Sequence, residues 1–324
     1  MEKVDVVGMI FDQMTIDNPS RTRKLRHYPS SLPYYENGIP QGKCKRQLFY
    51  AMSGIEESHP IDPVALFKMD IGNIIHDKID GILNRALARV YGKDFNTSDE
   101  KLVAYVKKIN MVIAERNQSK IVEFTRANGY EPDKDEIADM QLEDLIDPNG
   151  GEIPIIWSVD GLEMPMSGRI DKIMNINGKR GIGEWKSTYG YGANYIKKDG
   201  PKLEALLQCR SYLTNPELDL DFVILVYIAR DSGYMFGYFI EMGENQDDMT
   251  LFHMNSGKAE VRQVVFSEIV RACKEVEDFV EGEILPERDY HVNVNPKTNT
   301  LVQKGGDWQC RYCNYRGICY GVDN

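Results

Sequence analysis

The amino-acid sequence predicts an α/β protein in which a mixed β-sheet core is flanked by helices. Before residue 150, apolar residues recur with the 3.6-residue period of helices, and after it the period changes to the two-residue period of strands. Two helical patterns, at about 201–214 and 257–282, interrupt or follow the predicted strands. Strands that alternate with helices of this length favour a sheet covered by helices.

The first 150 residues predict a mostly helical part. Residues 1–40 are irregular and basic, and the segment CKRQLFYAMSGI after them predicts a short helix. A long helix should begin near Asp62-Pro63, because proline is favoured in the first turn of a helix. A further helix is predicted over 99–128. The acidic segment 131–149 ends in the breaker DPNGG, where we place the main boundary.

The following part predicts the sheet. Strands are expected near 152–159, 165–176 and 180–187, and Asn177-Gly178 is a strong tight-hairpin signal. A short connection should lead to the helix at 201–214. Two more strands begin at Phe222 and Tyr234, and the first is apolar throughout, as expected for a strand buried on both faces. We divide the chain into parts 1–150, 151–290 and 291–324, all within one integrated domain.

The charge is unevenly distributed along the chain. Between Glu131 and Asp147, eight acidic residues and one lysine account for −7 of the formal net charge of −11. The whole-chain charge therefore says little about one groove. A basic cluster lies near the N-terminus. It could face a nucleic-acid partner, or it could be an ordinary solvated surface. Its members are Arg21, Arg23, Lys24, Arg26, Lys43, Lys45 and Arg46.

Neither a membrane-spanning segment nor a secretory signal is indicated. No apolar run approaches the roughly 18–20 residues that cross a bilayer. The N-terminus lacks a basic segment followed by an apolar core, so we expect a cytoplasmic protein with no membrane partner. The phosphate-loop pattern GxxxxGK[ST] is absent, which argues against an ATP-driven motor.

Asp171, Glu184 and Lys186 form a candidate metal site. A hairpin about Asn177-Gly178 can bring Asp171 opposite Glu184, and residues two apart on a strand project together, so Lys186 joins Glu184. Two close carboxylates favour a cation between them, and hard oxygen ligands favour Mg²⁺ or Mn²⁺. Such an ion can activate water for phosphodiester hydrolysis. The alternative is that the three residues are surface charges on a hairpin.

The neighbours of these residues support the site. Trp185 lies between the two polar residues and should point into the core, which anchors the strand. The flanking Gly181-Ile182-Gly183 is small and should permit close approach of a ligand. Gln208 and Tyr212 are four residues apart on the predicted helix and share one face. They could hold a nucleotide near the metal, or they could belong to a polar helix surface.

The cysteines suggest a second centre. Cys310, Cys313 and Cys319 follow one another at ligand spacing, and a fourth ligand is needed from elsewhere. Cys44 is the candidate, which would join the two ends of the chain. Zinc and a [4Fe–4S] cluster both suit four thiolates, and spacing does not choose between them. Cys209 and Cys273 lie within predicted helices and are more simply interpreted as small apolar residues.

Together, these motifs resemble the PD-(D/E)xK nuclease superfamily, and more narrowly its RecB-like nucleases. The resemblance covers about 28–92 and 152–324, and its motifs occur in the family order; they are GNIIHD with His76, GRID with Asp171, EWK with Glu184 and Lys186, and QCRSY with Gln208 and Tyr212. The late cysteines and Cys44 before LFY resemble the iron–sulfur branch, which includes the CRISPR-associated exonuclease of the Cas-four type and the AddB-type nuclease domain.

The resemblance implies a restriction-endonuclease-like fold and a role for each motif. His76, Asp171, Glu184 and the main-chain carbonyl of Trp185 would hold Mg²⁺ or Mn²⁺, although a lone histidine at a helix edge is usually structural. Lys186 would serve the attacking water, and Gln208 and Tyr212 would position DNA. The cysteines would hold a structural [4Fe–4S] cluster, with zinc as the alternative; they are Cys44, Cys310, Cys313 and Cys319.

From this resemblance we expect a metal-dependent DNA exonuclease of a prokaryote or phage. Its substrates would be DNA ends or single strands. It would act in recombination, repair or CRISPR adaptation. Proteins of those pathways would be its possible partners. The alternative is a DNA-end-binding adaptor that retains the fold and cleaves little. A third possibility is a zinc-stabilised interaction module.

Overall fold

The computed structural model describes residues 25–59, 63–91, 153–295, 297–302 and 306–321. The predicted helix over 99–128, the acidic segment 131–149 and the basic residues Arg21, Arg23 and Lys24 lie outside these ranges.

The described N-terminal part contains a small hairpin and two helices. They are β1 (Tyr35–Glu36), β2 (Ile39–Pro40), α1 (Lys45–Met52) and α2 (Pro63–Tyr91). The predicted start of the long helix at Pro63 is confirmed. No described helix combines the length and the apolar character that crossing a membrane requires.

The central part builds the sheet and the two helices between its parallel strands. Its elements are β3 (Ile153–Trp157), β4 (Met166–Ile170), β5 (Lys172–Ile176), β6 (Lys179–Thr188), α3 (Gly190–Asp199), α4 (Leu203–Leu213), β7 (Phe222–Ala229), β8 (Met235–Met242), β9 (Asp248–His253) and β10 (Ala259–Gln263). The C-terminal part adds one long helix and short elements around the cysteines. These are α5 (Phe266–Glu281), β11 (Val294–Asn295), β12 (Thr300–Leu301), α6 (Trp308–Arg311) and α7 (Arg316–Tyr320).

The main sheet has six strands in the order β10-β9-β8-β7-β6-β5. Strands β6 and β7 pair in parallel, and the other neighbours pair antiparallel. The chain leaves β6, passes through α3 and α4 and returns as β7, as a parallel pair requires. The prediction of a mixed sheet with flanking helices is therefore confirmed.

The hairpin between β5 and β6 sets the register of the candidate site. Asn177 and Gly178 both have positive φ angles, 54° and 81°, as a tight two-residue turn requires. Lys172 pairs with Gly183, so Asp171 comes to lie beside Glu184. The predicted turn and its consequence for these two carboxylates are confirmed.

The sheet is covered on both faces, and the two faces carry different parts of the site. On one face α4 contributes Leu206, Leu207 and Cys209 to the main core. On the other face Trp185 packs with Leu87 of α2 in a second cluster, so the prediction that Trp185 points into the core is confirmed. Alternation along β6 thus leaves Glu184 and Lys186 on the α4 side.

Three element predictions are wrong. The strand expected over 165–176 is divided at Asp171, because β4 pairs with β3 in a separate two-stranded sheet while β5 pairs with β6. The helix expected from 257 begins at Phe266, because residues 259–263 pair with β9 and place their backbone groups in that ladder. The expected short connection before α4 contains the ten-residue helix α3.

The glycines of β6 serve the packing of aromatic rings, and the prediction that they admit a ligand is wrong. A Cβ on Gly181 would lie 2.1 Å from the ring of Phe222, and one on Gly183 would lie 2.4 Å from the ring of Trp185. Phe222 is only 1% exposed and stacks on Phe239 with ring centroids 4.8 Å apart, so it cannot move aside.

Gly181→Ala is therefore expected to destabilise the protein by about 1–3 kcal/mol, the usual cost of overpacking a core. Denaturant unfolding measures the effect. In the Phe222→Leu background the same substitution should cost clearly less, because the smaller side chain leaves room for the methyl group. Additive costs of the two substitutions would contradict the steric explanation.

A buried His27–Glu277 pair fastens the N-terminal segment to α5. His27 Nε2 lies 2.9 Å from Glu277 Oε1, and the same carboxylate accepts hydrogen bonds from the backbone N–H groups of Glu163 and Met164. Lys274 lies 3.7 Å from the other carboxylate oxygen. Burial lowers the pKa of His27 below its ordinary 6.5, and this effect outweighs the opposing influence of Glu277.

Stability is expected to fall as the pH drops below about 6.5 because of His27. The unfolded chain binds this proton more readily than the folded chain, so the contribution is fully present above pH 6.5 and is lost as the pH falls towards the lowered pKa of His27. Thermal unfolding between pH 5 and 8 measures it, and His27→Gln should show a flatter profile. The exposed His291→Gln controls for removal of a histidine. A His27→Gln profile parallel to wild type would refute the assignment.

Candidate active site

The two carboxylates of the candidate site lie where the chain changes from one sheet to the other. Asp171 is the single residue between β4 and β5, and its Oδ2 accepts a hydrogen bond from the backbone N–H of Trp185 at 2.6 Å. Glu184 precedes Trp185 on β6 and is 3% exposed. One backbone hydrogen bond therefore fixes Asp171 directly beside the Glu184–Lys186 strand.

A hydrogen-bond network connects Glu184 to α4. Glu184 Oε1 accepts from Lys186 Nζ at 2.6 Å and from Gln208 Nε2 at 2.9 Å. Gln208 Oε1 accepts from Lys186 at 2.8 Å, and Gln208 Nε2 also donates to the Tyr212 hydroxyl at 3.0 Å. Tyr212 in turn donates to the carbonyl of Arg169 at 2.9 Å. The network fixes the orientation of the Gln208 amide and holds Lys186 against the carboxylate.

The network also determines the protonation of Lys186 and Tyr212. Burial opposes the ammonium form of Lys186, but Glu184 and then Asp171 outweigh it and raise the pKa of Lys186 above its ordinary 10.5. Burial, assisted by Glu184, raises the pKa of Tyr212 well above its ordinary value, so its hydroxyl keeps its proton. At neutral pH the site thus presents an ammonium group and a neutral phenol to the two carboxylates.

His76 approaches Asp171 from α2. Its Nδ1 lies 4.0 Å from Asp171 Oδ1, and the His76 side chain is 23% exposed. Both residues line a cleft of about 330 Å³, a volume that holds several water molecules. The cleft is completed by Asn73, Asp77, Asp80, Arg169 and Trp185. The His76 side chain therefore faces a cleft from α2, although a lone histidine at a helix edge is usually structural.

The structure unites some of the predicted metal ligands more closely than others. His76 and Asp171 face one another across the cleft, whereas Glu184 is engaged by Lys186 and Gln208 and is not among the described cleft-lining residues. Within the described ranges no three His, Cys, Asp or Glu side chains already converge on a common metal position. Metal ligation by these residues therefore stays a prediction.

Gln208 and Tyr212 occupy positions that differ from their predicted use. They share one face of α4, as expected, but they are 5% and 1% exposed. A side chain so deeply buried supports the charged residues above it and has little surface for a DNA strand. Their geometry supports a positioning role for Lys186 and Glu184 instead of direct DNA contact.

Asp80 is a member of the site that the sequence analysis missed. It lies on α2 one turn after His76, lines the same cleft, and accepts a hydrogen bond from Trp185 Nε1 at 2.9 Å. This bond fastens α2 to β6 and thereby sets the position of His76 relative to Asp171. The signal in the sequence was the i, i+4 spacing of His76 and Asp80 on one helix face.

The four predicted cluster cysteines line a single cavity. Cys44 immediately precedes α1, Cys310 lies in α6, Cys319 lies in α7, and Cys313 lies between those two helices. Burial raises the pKa of Cys44 and Cys310, and it raises the pKa of Cys313 to about 11. All six cysteines are free thiols, and Cys209 and Cys273 are fully buried in α4 and α5, as predicted.

Cationic donors surround the last of these cysteines. Arg288 Nε donates to Cys319 Sγ at 3.3 Å, and Arg46 Nη1 lies 4.0 Å from the same sulfur. Arg288 also donates to the Cys319 carbonyl. Four thiolates on one centre carry excess negative charge, and N–H donors directed at sulfur stabilise it. In the described residues the four thiols line one cavity, but no three of them already converge on a common metal position, so an iron–sulfur cluster or zinc stays a prediction.

The described members of the basic cluster have structural partners. Lys45 bonds to Glu275 at 2.6 Å, Arg46 Nε donates to the carbonyl of Pro286 at 2.6 Å, and Arg26 donates to Ser167 at 3.1 Å. These three side chains connect the N-terminal segment to other parts of the fold, so they do not form a freely solvated patch.

Comparisons with known proteins leave the family of the chain open. No family model matches the sequence, and no curated protein matches it. A solved structure described as the crystal structure of SSO0001 has 21% identity and a TM-score of 0.30, over 65% of this chain and 82% of that one. The resemblance to PD-(D/E)xK nucleases thus stays a prediction from the motifs.

Proposed function

We propose that this protein is a Mg²⁺- or Mn²⁺-dependent deoxyribonuclease of the restriction-endonuclease-like, RecB-like type. The observation that carries the proposal is the assembly of the predicted motifs at one place. Asp171, Glu184, Lys186 and Gln208 meet through contacts of 2.6–2.9 Å, with Trp185 N–H as the bridge to Asp171. Independent surface charges on a hairpin would have no reason to meet a buried glutamine of α4.

The cleft between α2 and β6 suits a divalent cation. The 4.0 Å between His76 Nδ1 and Asp171 Oδ1 is too long for a hydrogen bond. Two ligands on one Mg²⁺, each at about 2.1 Å, can lie up to roughly 4.2 Å apart. In this proposal His76 and Asp171 would hold the ion, and Glu184, which lies beside Asp171 on β6, would supply the second carboxylate. A bound divalent ion supplies Lewis acidity and a more acidic water.

The protein's own residues would orient the reactants. Lys186 places an ammonium group at the end of β6, where it can hold the attacking water or neutralise charge that develops on the phosphate oxygens. Gln208 holds Lys186 and Glu184 together, and Tyr212 holds Gln208. Asp80 keeps α2 and His76 in place through Trp185. Hydrolysis by activated water needs no covalent intermediate.

The cysteine cavity supports the iron–sulfur branch of this superfamily. We assign a structural [4Fe–4S] cluster to Cys44, Cys310, Cys313 and Cys319, with zinc as the alternative for the same four ligands. The cluster would tie the segment before α1 to the C-terminal helices, far from Lys186 in the sequence. Its role would be to stabilise the assembly of the nuclease core and not to transfer electrons.

The direct test is cleavage of end-labelled single- and double-stranded DNA by the anaerobically purified full chain. We expect hydrolysis with Mg²⁺ or Mn²⁺ and none with EDTA. A time course on both substrates, each labelled at either end, gives the strand preference and the polarity of digestion. Absence of cleavage with every divalent metal, while the protein still binds DNA ends, would favour the adaptor function.

A further inference from the structure

The carboxyl ends of β6 and β7 carry a surface of exposed tyrosines and cations that the catalytic network does not use. Four rings belong to it, and we call it the tyrosine surface; they are Tyr189, Tyr191, Tyr195 and Tyr234. Their exposed fractions are 51%, 75%, 52% and 43%, which is unusual for four neighbouring aromatic side chains of a folded domain.

Each ring of this surface contacts another ring or a cation. Tyr191 and Tyr195 lie one turn apart on α3, with ring centroids 5.0 Å apart and hydroxyls 3.1 Å apart. The guanidinium carbon of Arg230 lies 4.6 Å from the ring centroid of Tyr189, and Lys197 Nζ lies 3.5 Å from that of Tyr234. Arg230 also donates to the carbonyl of Lys68 at 2.8 Å, which fixes its position.

The tyrosine surface lies at the end of the strand that carries Lys186. Thr188 ends β6 two residues after Lys186, and the N–H of Arg230 donates to the Thr188 carbonyl at 2.8 Å. At about 3.3 Å per residue, the surface begins roughly 7 Å beyond Lys186 along the strand. Ligands of open α/β sheets commonly bind at the carboxyl ends of parallel strands, which is where this surface lies.

Two glycines lie where the aromatic segment follows β6. A Cβ on Gly190 would lie 2.5 Å from Asp231 Oδ2, and one on Gly192 would lie 2.5 Å from Thr188 Oγ1. A side chain at either position would require the Asp231 carboxylate or the Thr188 hydroxyl to shift. This part of the chain carries two exposed carboxylates, Asp199 and Asp231, and three cations, Arg230, Lys197 and Lys198.

We propose that the tyrosine surface binds unpaired nucleotides of a single strand and delivers them to Lys186. Aromatic rings stack on bases of any sequence, and interleaved cations hold the phosphates. Paired bases are already stacked in a duplex, so the surface would discriminate against double strands. The choice of nucleic acid as the ligand rests on the proposed nuclease function, whereas the exposed rings and cations are independent of it.

The test is equilibrium binding of a fluorescently labelled oligothymidylate to the full chain in EDTA, where no metal-dependent cleavage occurs. Tyr191→Leu/Tyr195→Leu should weaken binding about tenfold or more, because stacking on an aromatic ring is lost. Tyr191→Phe/Tyr195→Phe keeps both rings and should bind as wild type. Phe252→Leu, which removes a 43% exposed ring on β9, is the control and should also bind as wild type.

Several outcomes would overturn the proposal. They are wild-type affinity in the leucine variant, an equal loss for duplex DNA, and failure of the wild-type chain to bind the oligonucleotide. Unchanged DNA binding with a loss of self-association in sedimentation would assign the surface to a second copy of the chain. Cleavage assays with Mn²⁺ separate this inference from the nuclease proposal. If wild type cleaves and the leucine variant binds normally, only the tyrosine surface is refuted.

Discussion

Replacing Lys186 by alanine is expected to lower the rate of DNA hydrolysis at saturating substrate by at least about 100-fold, with a much smaller effect on KM. Removing one preorganised donor from a developing charge costs on the order of 10²–10³ in kcat. Lys186 is bonded to both Glu184 and Gln208, so its ammonium group is already oriented before substrate arrives. The measurement is kcat and KM on end-labelled DNA with Mn²⁺.

The same strand offers a matched control for this variant. Lys179 begins β6 and forms an ion pair with Glu241 at 3.3 Å, so Lys179→Ala removes a comparable contact away from the site. Lys186→Ala should also cost about 1–3 kcal/mol of stability, because Glu184 loses a charged partner. Thermal unfolding must therefore show that the variant is folded at the assay temperature. A folded Lys186→Ala protein with wild-type kcat would refute the catalytic role.

Local chemistry is what made much of the fold predictable from the sequence. The Asn177-Gly178 turn requires positive φ at two successive residues, and few residue pairs other than Asn-Gly adopt it easily. Pro63 marks the start of α2, and the apolar run from Phe222 marks a buried strand. In each case the signal lies within a few residues and does not depend on the rest of the chain.

The failed element predictions have tertiary causes. Val261 continues a helix-like apolar stripe, yet its backbone pairs with β9 because an open strand edge is available there. The strand at 165–176 changes partner at Asp171, because the residues before it pair with β3 and those after it pair with β6. In both cases pairing with the preceding strand decided the structure, and the apolar periodicity of a segment does not record which strand it pairs with.

The site was predictable by residue type and less so by role. Asp171, Glu184, Lys186 and Gln208 were identified and are close together, because strand alternation and helical spacing fix which side chains share a face. Burial was not foreseeable in the same way. Because α4 lies deep in the core, Gln208 and Tyr212 are buried. They therefore support the charged residues instead of contacting DNA.

Replacing Cys313 by alanine is expected to remove the bound cluster and lower the thermal midpoint by roughly 10 °C or more. In the proposed cluster, coordination would join the start of α1 to α6 and α7, so its free energy would be part of the folding free energy. Without it, the cavity between Cys44, Cys310 and Cys319 would lack the centre that links these segments. Iron and acid-labile sulfide analysis of anaerobically purified protein, with thermal unfolding, measures both effects.

Cys273→Ala is the matched control, because Cys273 is a fully buried free cysteine of α5 outside the cavity. It should retain iron and sulfide and lose only about 1 kcal/mol of stability for the missing sulfur.

Cys313→Ala should also unfold at a lower temperature than Lys186→Ala, because it would remove the proposed link between the two ends of the described chain. Equal midpoints for those two variants would argue against a structural cluster. A colourless wild-type protein that contains zinc alone would assign the four cysteines to zinc, since the same thiolates suit either centre.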